Sequence, residues 1–148
     1  MSRGDRQTLL IGIAAGMRCF LAPAVVVSKQ SACGPVLKIT TAAAAVGEIV
    51  ADKTPYIGSR LDIGPLTGRV AAGALCGGWV ATRREGSAVL GAAVGGLAAY
   101  ASAHFFYHLR RTSTEAGIAD LAFALAEDVA AIAIGFSACE DRSTDIPS

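Results

Sequence analysis

Thr8-Leu9-Leu10-Ile11-Gly12-Ile13-Ala14-Ala15-Gly16-Met17-Arg18-Cys19-Phe20-Leu21-Ala22-Pro23-Ala24-Val25-Val26-Val27-Ser28 is the stretch on which the fold turns. It carries a single charge, Arg18. As one α-helix it would be about 31 Å long, the thickness of a bilayer core. Arg3 and Arg6 precede it as they would a signal peptide, but the run is too long for that and no Ala-x-Ala cleavage site follows. Gln30-Ser31-Ala32-Cys33 has the outline of a lipidation box, with Gln30 where an aliphatic residue is required. The segment therefore reads as a retained membrane helix, kinked at Pro23 so that backbone carbonyls are freed near Arg18.

Four more apolar segments follow, at 36–52, 66–82, 87–109 and 116–138. Each is about 25–35 Å long as a helix. Pro55 and Pro65, with Gly58 and Gly64, mark the interval between the second and third as a turn-rich loop. Arg83-Arg84-Glu85-Gly86 makes a tight charged turn, and residues 139–148 are a polar tail. Composition agrees with this layout. Of the 148 residues 53% are apolar and only 17% charged, and mean hydropathy is +0.49. A soluble domain carries about a quarter charged residues, and no segment here has the polar face that a soluble helix bundle turns to water. A net charge of +1 gives no footprint for nucleic acid. The expectation is an all-α polytopic membrane bundle of about five helices, forming one domain over residues 1–148.

The chain also matches itself at an offset of 79. Gly12 and Gly16 fall on Gly91 and Gly95, Ile39 on Ile118, and Glu48 on Glu127. With one odd helix between the two units, they would cross in opposite senses, an inverted-topology repeat of the kind found in transporters. The alternative is coincidence in a Gly- and Ala-rich chain. The basic residues divide six to five between the two sides of such a five-span layout, with a slight preference for a cytoplasmic N-terminus.

Charges inside apolar segments are costly, about 2.5–3.5 kcal/mol each on insertion scales, so they should face protein or water. Arg18, Glu48 and Glu127 come out at similar depths by the helical rise. Asp52 lies one turn beyond Glu48, Arg69 one turn into the third segment, and Asp128 about 100° around the helix from Glu127. Arg18 is expected beside Glu127, and Arg69 beside the Glu48/Asp52 face. Lys53 and Arg60 belong to the loop, with Arg60 directed to the acidic end of the second helix. One reading of the cluster is an ion or proton path; the other is a set of charge pairs that keeps helices in register.

Other features read more plainly. Gly12-xxx-Gly16, Gly73-xxx-Gly77 and Gly91-xxx-Gly95 are helix-packing surfaces. His104 and His108, among Phe105, Phe106 and Tyr107, mark an interfacial aromatic belt rather than a metal site. Cys19, Cys33, Cys76 and Cys139 lack metal-ligand spacing and read as small apolar residues. No catalytic motif, metal site or cofactor is indicated.

An ordered set of pieces resembles a known family: Gly16-Met17-Arg18, Ala22-Pro23-Ala24, Gly47-Glu48, Ala51-Asp52-Lys53-Thr54-Pro55, Ser59-Arg60, Leu66-Thr67-Gly68-Arg69, Gly73-Ala74-Leu75-Cys76-Gly77 and Ala126-Glu127-Asp128. The chain is similar over nearly its whole length to domain of unknown function 4126, a bacterial membrane-protein family. The resemblance implies a small integral membrane protein and names no substrate. The functional expectation is transport or a channel for a small ion or solute, in the inner membrane, with lipid as partner and a homo-oligomer joined through Gly-rich faces. The alternative is a structural or assembly protein whose charges only fix packing; a membrane-embedded enzyme ranks third.

Overall fold

Pro23 dictates where the first apolar segment breaks. It has no N–H to give the Cys19 carbonyl, and in a continuous helix its ring would collide with that carbonyl. In the computed structural model, which describes residues 3–51, 63–115 and 120–139, helix α1 (Arg3–Met17) stops short of it. Helix α2 (Leu21–Ser28) then starts afresh with Pro23 in its first turn, where proline is tolerated. The other helices are α3 (Pro35–Ala51), α4 (Ile63–Arg83), α5 (Ala88–Glu115) and α6 (Asp120–Ala138). The described residues thus form six helices and no strand. Pro65, expected in a loop, occupies the first turn of α4 for the same reason that Pro23 suits α2.

The break is also a reversal. Gln7, near the start of α1, and Lys29 and Gln30, just past α2, line one cleft. A continuous helix would hold Gln7 and Lys29 about 33 Å apart. The first segment is therefore a helical hairpin with its tip at residues 18–20, which corrects the expectation of a single helix over 8–28. The tip is tied by Arg18 N–H to the Ala14 carbonyl at 2.9 Å and Leu21 N–H to the Arg18 carbonyl at 3.3 Å.

Contacts fix the direction of the rest. We call the end holding the N-terminus basal. Gly12 lies on Gly95 and Gly16 on Ala99, so α1 and α5 run parallel. Gly73 meets Gly95 and Ala99, and Gly77 meets Gly91, so α4 runs against both. On α6, Asp128 reaches Arg18 while Gly135 lies against Ala14 and Val25, so α6 descends from the tip beside α2. Helix α3 climbs from the basal end along α2 and brings Glu48 level with the tip. Gly16, just before the tip, meets Ser102 of α5, and α5 runs on to Glu115, about 20 Å further. The hairpin consequently ends inside the bundle.

This topology removes the inverted repeat. An inverted pair needs α1 and α5 to run in opposite directions, and they are parallel. The error lies in the first segment: because the hairpin returns to its own end, the chain makes one fewer crossing before α5 starts.

Small residues let the helices approach closely. A Cβ on Gly12 would lie 2.5 Å from the Gly95 carbonyl oxygen, and one on Gly73 would lie 2.6 Å from the same atom. The centre is mostly Ala and Gly, with Ile11 and Met17 the largest apolar side chains fully enclosed. The large apolar residues face outward instead. They form rows at helical spacing along α3 (Val36, Ile39, Val46, Val50), α5 (Leu90, Val94, Leu97, Phe105) and α6 (Leu125, Val129, Ile132, Phe136). Among the described helices, α5 over Ala88–Thr112 is long and apolar enough to cross a membrane by length and composition.

Candidate functional site

The hairpin tip gathers the buried charges. Arg18 is the largest fully enclosed side chain, with 1% of its surface exposed. Its Nε donates to Asp128 Oδ1 at 2.7 Å, and Nη2 donates to the same oxygen. Depth alone points to Glu127; the bonds described here go to its neighbour Asp128. Helix α6 turns the row Ala124, Asp128, Ala131, Gly135 and Ala138 into the bundle, and this row puts Asp128 opposite Arg18. Glu127, on the flank of that row, is buried as well.

Glu48 does something that no charge-pairing argument anticipates. Its Oε1 accepts the Cys19 N–H and its Oε2 the Phe20 N–H, each at 2.8 Å. These are backbone donors released where the helix breaks. Phe20 takes the N-cap position of α2, and its side chain has nothing to cap with. A carboxylate from α3 supplies the cap from outside, against the positive end of α2. The kink was expected to free carbonyls; the groups that the site uses are N–H donors. Arg69, buried on α4, has Nη2 4.0 Å from Glu48 Oε1, so Arg69 and Glu48 are brought together as expected. Asp52, Lys53 and Arg60 lie outside the described residues.

The two halves differ in dryness. Arg18 and Asp128 are sealed, while the Glu48 side chain retains 15% exposure next to the exposed Phe20. The first half suits a structural clamp, since a buried pair holds its geometry and punishes loss of either member. The second half is a carboxylate seated on two backbone donors and a guanidinium at 4.0 Å, an arrangement that selects negative charge.

Elsewhere, His104 stacks near Tyr100 with ring centroids 4.5 Å apart, and His108 lies near Tyr107 at 5.4 Å. No group of three potential metal-ligating side chains occurs among the described residues. The four cysteines are free thiols.

Fold and site together define a class: an all-helical bundle built around a hairpin whose broken tip is capped by an acid from another helix. The chain matches the family model described as Domain of unknown function (DUF4126) over residues 7–140 and belongs to that family. The match takes in the hairpin from Gln7 onward, Glu48, Arg69 and the Glu127-Asp128 pair. No curated protein and no solved structure matches the chain.

Proposed function

We propose that this chain is a polytopic membrane protein that passes a small ion or solute by the tip of hairpin α1–α2. In this reading α3, α4, α5 and α6 cross the bilayer, and the hairpin enters from the basal side and returns. Their lengths of 17, 21, 28 and 19 residues correspond to about 26, 32, 42 and 29 Å, against a hydrocarbon core of about 30 Å. The outward apolar rows on α3, α5 and α6 support lipid contact, because soluble monomers rarely expose contiguous apolar patches above a few hundred Å². Buried Arg69, Glu127 and Asp128 lower the hydropathy of α4 and α6 without meeting lipid.

The hairpin also changes the charge count between the two ends. Among the described side chains, Arg6, Lys29, Lys38, Arg83 and Arg84 belong to the basal end and Arg110 and Arg111 to the other. Five against two favours a cytoplasmic basal end in the inner membrane.

The observation that carries the transport reading is the carboxylate of Glu48 on the Cys19 and Phe20 N–H groups. Discontinuous helices in transporters use such half-helix ends to hold ions and anionic substrates near mid-membrane. Irregular backbone is tolerated there only when protein or a polar cavity surrounds it. The competing reading, a structural or assembly protein, is favoured by the sealed Arg18–Asp128 pair. A proteoliposome screen with protons, monovalent ions and fluoride decides between them. The proposal expects a flux that Glu48→Gln alters while the protein stays folded. A well-folded protein with no flux for any of these, before and after the substitution, would favour the structural reading.

A further inference from the structure

We propose that the basal cleft among α1, α2, α4 and α6 binds the phosphate group of an anionic phospholipid, an inference that rests on the membrane reading above. The cleft has a volume of about 210 Å³, and its polar lining is Gln7, Lys29, Gln30, Arg83 and Arg84, with Trp79 at the edge. No carboxylate lines it among the described residues.

Two of the cations, Lys29 and Arg83, are held in place by aromatic rings. The Lys29 ammonium sits 5.6 Å from the centroid of the Phe136 ring, and the Arg83 guanidinium 5.3 Å from that of Trp79. Cation–π contacts of this kind fix a charge without cancelling it. Arg83 Nη2 donates to Gln30 Oε1 at 2.6 Å, which uses one of five guanidinium donors. Neither Lys29 nor Arg83 is in an ion pair with a described carboxylate. Two fixed cations and a side-chain amide over a small cavity match the charge and acceptor geometry of a phosphate.

The rim explains why the phosphate should come with a lipid attached. Trp79 and Phe136 are each about half exposed beside the cleft. From them, apolar rows climb one turn toward the bundle centre, Leu75 above Trp79 and Ile132 above Phe136. A headgroup in the cleft would leave its acyl chains along these rows. Basic pockets between membrane helices on the cytoplasmic side recognise headgroups in this way. Basic residues at the C-terminal ends of α2 and α4 would also offset helix dipoles, which predicts an effect on stability and none on lipid choice.

Trp79 is the sole tryptophan and reports the cleft directly. The full chain is reconstituted in nanodiscs containing phosphatidylglycerol or phosphatidylcholine with brominated acyl chains, and quenching of Trp79 is compared as the ratio between the two lipids. The proposal predicts a clear preference for phosphatidylglycerol. Neutralising Lys29 and Arg83 with Lys29→Gln and Arg83→Gln should reduce it about fivefold per charge, the factor that about 1 kcal/mol for each basic residue represents. The matched pair Arg110→Gln and Arg111→Gln, at the other end, should leave it intact. Equal quenching by the two lipids, an equal loss in the matched pair, or a lowered Tm with unchanged preference in the first pair would overturn the proposal. Millimolar inorganic phosphate should not remove the preference; if it does, the ligand is free phosphate and the lipid assignment falls. A chain that fails to co-elute with nanodiscs would contradict the membrane reading itself, before any lipid is compared.

Discussion

Arg18 and Asp128 are 110 residues apart in the chain and share a hydrogen bond of 2.7 Å with both side chains almost wholly enclosed. This contact joins the tip of the hairpin to α6, and it determines how substitutions here should behave. Arg18→Ala takes the guanidinium away from a buried carboxylate and should cost about 3–5 kcal/mol. Asp128→Ala should cost a similar amount, whereas replacing both with apolar residues of matching volume should restore much of the loss. Thermal or denaturant unfolding of the four proteins in detergent tests this. Additive losses in the double variant would deny the pairing.

Glu48 bonds to backbone, so its loss should be read at the tip. Two charge-assisted hydrogen bonds, each about 1.5–3 kcal/mol, hold Cys19 and Phe20. Glu48→Ala should expose those amides to exchange and lower stability by about 3–6 kcal/mol. Glu48→Gln keeps one acceptor and should fall between the two. Hydrogen exchange at residues 19 and 20 measures the effect, and unaltered exchange in Glu48→Ala would show that another group caps the helix.

Glycine positions separate close packing from open surface. A side chain on Gly95 would run into the Gly73 carbonyl and lie 3.0 Å from Gly77 Cα, backbone that cannot move aside alone. Gly95→Val should therefore cost at least the 1–3 kcal/mol of ordinary overpacking and reduce the yield of folded protein. Gly47 has nothing within 4 Å of its Cβ direction, and Gly47→Ala should be neutral or slightly stabilising. Equal effects at the two sites would refute the α4–α5 contact.

Much of this architecture was legible in the chain, for reasons that can be named. The packing of Gly12, Gly73, Gly77, Gly91 and Gly95 follows from small residues at a spacing of four, which place them on one helix face. The approach of Arg69 to Glu48 follows from depth along the helices. The reversal at residues 18–20 was hidden because an apolar run long enough to span a bilayer looks the same whether it crosses or doubles back. Pro23 was the available signal: a proline three residues into a helix places the start near Phe20, not at Thr8. Depth along the helices points to Glu127 as the neighbour of Arg18 and is silent on the Arg18–Asp128 bond. The row of small residues Ala124, Ala131, Gly135 and Ala138 already put position 128 on the inward face. Repeat logic failed with the reversal, since the offset of 79 survives in sequence while the sense of the chain does not.

In the proposed membrane arrangement the first apolar segment enters the bilayer and returns to the side it came from. Cys33, half-buried in the connection from α2 to α3, measures this directly. A chain retaining Cys33 alone, with Cys19, Cys76 and Cys139 replaced by Ala, is compared with a cysteine-free chain carrying Gly4→Cys. A membrane-impermeant maleimide is applied to one face of sealed vesicles at a time. Cys33 and the cysteine at position 4 should react from the same face. Labelling from opposite faces would mean that residues 8–28 cross the membrane, and would contradict that arrangement.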